Sequence, residues 1–204
     1  MLVGARDAER GRVAAERIGA RFVQIDVTDD ASVAAAAADV REHEGRLDTL
    51  INNAGITGPY VPTDELTAAG ATAVFNTNVI SIVRVTSAFL PLLRTSGSPS
   101  VINISSGLGS QTLTHDPNRV ESTIISPLYT ASKAAVIMLT TQYARGLPDF
   151  RVNVVDPGYT ATDLNGHRGT QTVTEGTDAI VALATGTAGE GTGRFLDRFG
   201  PVAW

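Results

Sequence analysis

Tyr129 and Lys133, in the stretch Ser126-Pro127-Leu128-Tyr129-Thr130-Ala131-Ser132-Lys133, are a pair whose types and spacing could move a proton. Lys133 is the only lysine in the chain, and every other basic side chain of fixed charge is an arginine. On a helix, positions i and i+4 lie on one face, one turn apart. Pro127 suits a first helical turn, so the phenol and the ammonium would stand side by side near a helix start. A free tyrosine titrates near pH 10, and to act as acid and base near neutrality it must fall by roughly three units, about 4 kcal/mol. One cation at about 4 Å, at an effective dielectric of about 20, supplies about that much. Lysine does this as a compact point charge that can also donate to a hydroxyl; arginine is bulkier and forked. The plainer alternative is a surface lysine on a helix that also carries a tyrosine.

Other residues fit around this pair, each with a bland reading beside the chemical one. Ser106 could donate to a carbonyl oxygen next to the proton that Tyr129 delivers; a Ser-Ser pair at a strand end is equally a turn or helix cap. Asn78 falls on an apolar stripe, where a polar group needs a partner. It could fix a kink in its helix or hold a water that relays protons to Lys133. Asn52-Asn53-Ala54-Gly55 offers small, polar turn chemistry where a flat ligand could lie against the backbone, and a simple turn explains it nearly as well. His43, His115 and His167 show no metal-ligand spacing and read as surface residues. Gly107-Leu108-Gly109 and Gly189 to Gly193 do not complete a strand–G-x-G-x-x-G–helix pattern and read as turns.

The elements that must position these groups follow from the pattern of apolar residues. Met1 to Ala5, Phe22 to Ile25, Leu47 to Ile51, Val101 to Ile104, Val152 to Val155 and Arg194 to Phe199 read as strands. Helical segments run to Ile18, over Ala31 to His43, from about Asp64 to Arg94, from Tyr129 to about Gly146, and over Val173 to Ala184. The long one carries its stripe on Val74, Ile82, Val85, Phe89 and Leu92. Gln111 to Ser126 and Tyr159 to Thr172 read as irregular connections. Strands alternating with helices predict an α/β fold with a mostly parallel sheet and helices on both faces. In such sheets ligands sit beyond the carboxyl ends of the strands, and the polar clusters at Arg6, Asp26, Asn52-Asn53, Ser105-Ser106 and Pro157-Gly158 each follow a strand.

The bulk numbers bound the answer. The 204 residues suit a single domain, 1–204, with no linker or repeat. A net charge of -5 argues against nucleic acid as partner. No apolar run is expected to match the ~20 residues of a membrane span. No signal peptide is expected, and the default reading is a cytoplasmic protein. There are no cysteines, so thiolate metal sites and disulfides are excluded. The wealth of Ala, Gly and Arg suggests a GC-rich, bacterial coding sequence.

Asn52-Asn53-Ala54-Gly55, Asn103-Ile104-Ser105-Ser106, Tyr129-x-x-x-Lys133 and Pro157-Gly158, in this order, resemble the short-chain dehydrogenase/reductase family over nearly the whole chain. The resemblance implies a doubly wound, Rossmann-type three-layer sandwich and an NADP(H)- or NAD(H)-dependent oxidoreductase interconverting a carbonyl compound and an alcohol. It implies Tyr129 as general acid/base, Lys133 as the group that lowers its pKa and holds the nicotinamide ribose, Ser106 as the group orienting the carbonyl, and Asn78 in the proton relay. Asp26 and Val27 match the adenine contacts, and Asn53, Ala54 and Gly55 the segment beside the adenosine ribose. Pro157, Gly158, Thr160 and Thr162 match the segment that holds the nicotinamide carboxamide. Arg6 follows the first visible strand; an acid there would bind a ribose 2′-hydroxyl, whereas an arginine accommodates a 2′-phosphate, which favours NADP.

Two departures from the family pattern carry expectations of their own. The family opens with a strand, a glycine-rich loop and a helix, a βα unit of roughly 30 residues, and no such unit precedes Met1 in this sequence. The absent strand would be a central one, and its loss would leave backbone groups unpaired across the sheet. The expected origin is a misassigned start, an internal valine codon read as Met1. The stretch between Ser106 and Tyr129 is longer than usual by a segment from about Thr114 to Thr123, similar to the insert of monomeric carbonyl-reductase-like members, and a monomer is expected ahead of a homodimer. The competing reading is a non-catalytic dinucleotide-binding or interaction protein, or an inactive fragment without the pyrophosphate loop. The substrate is not legible; His167 and Arg168 are candidate contacts to it or plain surface residues.

Overall fold

The computed structural model describes all 204 residues. Strand β1 (Leu2–Ala5) turns through Arg6-Asp7 into helix α1 (Ala8–Arg17), where the Asp7 side chain caps the amides of Glu9 and Arg10. Strand β2 (Arg21–Gln24) lies parallel to β1, with Leu2 opposite Arg21. Side chains alternate across a strand: Val23 faces a core with Val33, Val40, Val85 and Phe89, while Phe22 lies against Gly11 of α1 on the other face. Helix α2 (Asp30–His43) follows, capped by Asp29, and then strand β3 (Thr49–Asn52).

The long apolar segment is one helical rod, Ala68–Leu93, with a defect in its middle. It comprises α3 (Ala68–Phe75), a single π-turn (Asn76–Ile80) and α4 (Ser81–Leu93). The rod starts later than its apolar pattern suggests, because Thr67 caps it by accepting from the Gly70 amide, and Asp64 belongs to a separate 3₁₀ turn. The expectation that no apolar run reaches membrane length needs correction here. The rod is long and apolar enough to span a bilayer by length and composition. In the fold its stripe of Val74, Ile82, Val85, Phe89 and Leu92 is buried, and Arg84 on the same rod pairs with Asp30 and donates to the Val27 carbonyl.

Strand β4 (Ser100–Ile104) is followed by a 3₁₀ turn (Gly107–Gly109) and by helix α5 (Gln111–His115). The stretch Gln111 to Ser126 is therefore less irregular than its polar composition suggests: Ser110 caps α5 through the Leu113 amide, and a second 3₁₀ turn spans Val120–Thr123. Helix α6 (Pro127–Gly146) begins with its proline in the first turn. Strand β5 (Arg151–Val155), helix α7 (Val173–Ala184), strand β6 (Phe195–Asp197) and strand β7 (Gly200–Pro201) complete the chain. The last strand expected at 194–199 is a hairpin, β6 pairing antiparallel with β7.

The strands form two ladders, β1–β2 and β3–β4–β5–β6–β7, parallel throughout except for the terminal hairpin. Helices α2, α4 and α6 cover one face; α7 packs on the other against Ile102, Ile104 and Val155. This is the three-layer, doubly wound sandwich. The ladder is broken between β1 and β3, each of which has one edge without a partner strand. Burial follows the break. The central strand β4 is buried at all five positions, whereas Ile51 of β3 is 42% exposed.

Candidate active site

Ser106, Tyr129, Lys133, Asn78 and Gly55 come together at the carboxyl ends of β3 and β4. Helix α6 is pinned there by backbone contacts at Lys133 itself. The Ser105 hydroxyl donates to the Lys133 carbonyl at 2.8 Å, and Gly109 packs so closely that a Cβ would meet the Lys133 carbonyl oxygen at 2.8 Å and its carbon at 2.6 Å. Backbone cannot yield as a side-chain tip can. Gly109→Ala is therefore expected to destabilise the fold by about 1–3 kcal/mol and to lower activity by moving Lys133. Gly97→Ala, at a site with open space around it, is the neutral control; denaturation midpoints of the two variants check this.

The Lys133 ammonium is buried, 4% exposed, and donates to the Ile104 carbonyl at 2.9 Å. It lies 5.5 Å from the centroid of the Tyr129 ring. Burial pushes this lysine down to about 8, opposed by the charge of Asp156. Tyr129 does not have the depressed pKa that the i, i+4 pairing predicts. Burial pushes the phenol up to about 12; the Ser106 hydroxyl opposes this, and Asp156 and Tyr60 add to it. The physical reason is competition: the ammonium is directed at a carbonyl, and desolvation of the phenol outweighs its attraction.

Asn78 occupies the π-turn, a helix defect that recurs at functional sites. Its Nδ2 donates to the Ile56 carbonyl and to Ser132 Oγ, both at 2.9 Å, and its Oδ1 accepts the Ile56 amide at 2.8 Å. The side chain thus braces the loop after β3 against α6, and its own donors are used in doing so. The helix irregularity expected at Asn78 is this π-turn. A second brace runs from Asn52 to Asn103 at 2.8 Å and from Asn103 to Thr140 at 2.9 Å, tying β3, β4 and α6 together.

The remaining candidates fall into two groups. Pro157 and Gly158 follow β5 on the same edge. Gly158 takes φ of +69°, a left-handed conformation that glycine adopts freely, and packs on the Gln171 side chain. Thr160 donates to the Pro157 carbonyl at 2.9 Å, and Thr162 caps a 3₁₀ turn in the connection between β5 and α7. His167 and Arg168 of that loop are exposed and bond within it, to Asp163 and to the Asn165 carbonyl. Arg6 follows β1, and Asp26 and Val27 follow β2, at the end of the separate β1–β2 ladder. Arg6 is exposed with its guanidinium free of hydrogen bonds and ion pairs, while Asp26 is held below the usual carboxylate range, chiefly by the Thr28 hydroxyl and amide. Asn53 and Ala54 are exposed after β3, with Gly55 next to Lys133.

Sequence reasoning missed Asp156 and Glu121. Asp156 is adjacent to Pro157-Gly158 and was legible as a strand-end acid; Glu121 lies in the inserted segment, where no periodicity indicates which side chain turns inward. A groove of about 180 Å³ of mixed polar and apolar lining also opens beside the Tyr129 helix, between Thr57, Tyr60, Leu66, Ile125, Ser126 and Leu128.

A doubly wound sheet with a serine, a tyrosine and a lysine at one strand edge defines a dinucleotide-dependent oxidoreductase class. Residues 1–172 match the short chain dehydrogenase family, and the chain belongs to the short-chain dehydrogenase/reductase family and is an NAD(P)-dependent oxidoreductase. It is 35% identical to the short-chain dehydrogenase anuI of Penicillium roqueforti, over 97% of this chain and 83% of that protein. It is 28% identical to (+)-neomenthol dehydrogenase of Capsicum annuum, over 90% of this chain and 83% of that protein. Among solved structures it is similar to the NADPH-bound carbonyl reductase from chicken fatty liver, with TM-score 0.84 and 29% identity over 100% of this chain and 87% of that one. Salutaridine reductase of Papaver somniferum gives TM-score 0.80 and 26% identity, over 94% and 89%.

The chemistry around Lys133 suits the hydroxyl-rich ribose of a nicotinamide dinucleotide. The buried Lys133 ammonium has three N–H donors and a single protein acceptor, and it faces Gly55, which presents no side chain. At the start of α1 the amides of Glu9 and Arg10 are taken up by the Asp7 side chain.

Proposed function

We propose that this chain is an NADP(H)-dependent carbonyl reductase in which Tyr129 gives the proton. The convergence of Ser106, Tyr129 and Lys133 at the end of β4 carries the reading. The bound cofactor would supply hydride to the carbonyl carbon. Ser106 would donate to the carbonyl oxygen and fix it beside Tyr129, whose phenol protonates it. Lys133 would hold the nicotinamide ribose with its free donors, and Asn78 would hold the loop that carries Gly55 in register with α6. Pro157, Gly158, Thr160 and Thr162 would line the carboxamide end; Asp26, Val27, Asn53 and Ala54 the adenosine end. The unpaired guanidinium of Arg6 suits a 2′-phosphate. The groove formed by Thr57, Tyr60, Ile125, Ser126 and Leu128 would take a small substrate with both polar and apolar parts.

Fluorescence titration of NADPH and NADH, paired with a carbonyl-reduction assay, tests the reading. NADPH is expected to bind ahead of NADH, with Arg6→Ala erasing that preference. Equal affinity for the two in the wild-type protein would remove the NADP(H) assignment.

A further inference from the structure

The turn that carries Ser106 is held by residues outside the site. Ser106 Oγ accepts the Leu108 amide at 3.2 Å. That bond ties the hydroxyl to the 3₁₀ turn Gly107–Gly109 and leaves its O–H to donate. The turn is gripped at both ends. Gly109 lies against the Lys133 backbone of α6, and around Gly107 the Glu121 Oε1 and Asp156 Oδ2 atoms each lie 2.9 Å from the point where a Cβ would stand. Arg119 clamps that Glu121 with two bonds, at 2.9 and 3.2 Å.

A further hold comes from residues distant in the chain. Beyond β7, Ala203 and Trp204 meet the start of α5. Ser110 is fully buried; its Oγ donates to the Ala203 carbonyl at 2.7 Å and accepts the Leu113 amide at 3.1 Å. Thr112 donates to the Trp204 carbonyl oxygen twice, from its amide at 3.0 Å and from its hydroxyl at 2.6 Å. The Trp204 ring is docked in turn. Its centroid lies 5.9 Å from that of Phe195, with the planes at 47°, a tilted aromatic pair. Phe195 is buried with Val136 and Ile137 of α6 and Val154 of β5, and its carbonyl accepts the Val202 amide at 2.8 Å. The segment from Val202 to Trp204 therefore joins the residue that ends the Ser106 turn to the core under the helix that carries Tyr129 and Lys133.

We propose that Trp204 is a positioning residue for Ser106: docked on Phe195, it holds the Ala203 carbonyl and its own against Ser110 and Thr112, so that the turn bearing Ser106 keeps its register with α6. The inference rests on Ser106 as the group that fixes the carbonyl oxygen in the proposed reduction. Ser106 reaches the site on a short turn whose own backbone bonds are two, Gly109 to Ser106 at 2.9 Å and Ser110 to Gly107 at 3.0 Å. A single 3₁₀ turn has poor hydrogen-bond geometry and depends on what packs around it. Misplacing an orienting group by about 1 Å costs up to about 10²-fold in rate. The brace therefore acts on kcat, where orientation counts, and little on cofactor affinity, which Lys133 supplies from α6.

The test sets Trp204→Ala beside Trp204→Phe, which keeps an aromatic ring on Phe195. Amide hydrogen exchange, read by mass spectrometry, needs no substrate. In Trp204→Ala, exchange over residues 107–115 is expected to quicken by about tenfold or more through local opening, with residues 136–144 of α6 unchanged and Trp204→Phe close to wild type. In NADPH-dependent carbonyl reduction, Trp204→Ala is expected to lower kcat by about 10- to 100-fold with the KM for NADPH within about two-fold, and Trp204→Phe to restore most of kcat. Ser110→Ala checks the contact from its other side: Trp204 is the only tryptophan and is half-exposed, and acrylamide quenching of its emission should rise. Unchanged exchange over 107–115 in Trp204→Ala overturns the brace. Quickened exchange with unchanged kcat overturns the positioning role, and so does exchange quickened evenly along the whole chain. A wild-type protein that reduces no carbonyl compound would remove the proposed reaction, and quickened exchange confined to 107–115 would still uphold the Trp204 brace.

Discussion

Tyr129→Phe is expected to lower turnover by about 10²–10⁴-fold, the range that a positioned general acid contributes, while leaving cofactor binding near its wild-type level. The change deletes one hydroxyl and nothing else. The ring keeps its place at the start of α6, where Ser132 Oγ holds the Tyr129 carbonyl at 2.7 Å and Lys133 lies 5.5 Å from the ring centroid. The donor to Ile104 and the free donors of Lys133 are untouched. A steady-state assay with NADPH and a panel of ketones and aldehydes, paired with a fluorescence titration of NADPH, reads both quantities. Equal loss of binding and turnover would mean that the hydroxyl organises the cofactor site. Unchanged turnover would remove Tyr129 from the chemistry.

How much of this was legible in the sequence depends on whether a residue's role is local or is set by neighbours distant in the chain. The Tyr129–Lys133 register, the proline at the start of α6 and the strand–helix alternation are local, and the fold reproduces them. So are the Val173–Ala184 helix and the burial of the stripe from Val74 to Leu92. The ionisation of Tyr129 was not local. A pair interaction estimated on an isolated helix gives a lowered phenol, but the folded site removes water from it and turns the ammonium toward Ile104, so the shift has the opposite sign. Asn78 could be read as a misfit on an apolar face; its partners, Ile56 and Ser132, lie 22 and 54 positions away. Glu121 was not readable, because its neighbour Asp156 comes from the far side of α6. That β1 and β2 form a ladder apart from β3 to β7 is not legible within either set of strands, whose local patterns are alike.

Lys133→Met should uncouple function from stability. Turnover and NADPH affinity are both expected to fall by orders of magnitude, because the only buried ammonium in the site, and with it the ribose donors, is gone. Stability is expected to move the other way. Burial pushes Lys133 down to about 8 from an ordinary 10.5, so the folded form gives up its proton at lower pH than the unfolded chain. Between those values the unfolded state binds more protons, and the contribution of Lys133 to stability rises with pH. Below about 8 the folded state carries the full cost of the buried charge, on the order of 3 kcal/mol. Methionine fills a similar volume without that cost, although it leaves the Ile104 carbonyl without its ammonium partner. Tyr129 acts in the opposite sense at higher pH: with its folded value raised to about 12, stability is lost above about 10, where the unfolded phenol ionises first. Denaturant melts from pH 7 to 10 should therefore show a rise in wild-type stability that is absent in Lys133→Met, with the variant at least as stable at pH 7. A variant clearly less stable at pH 7, with the same pH slope as wild type, would mean that Lys133 is held for the fold and not against it.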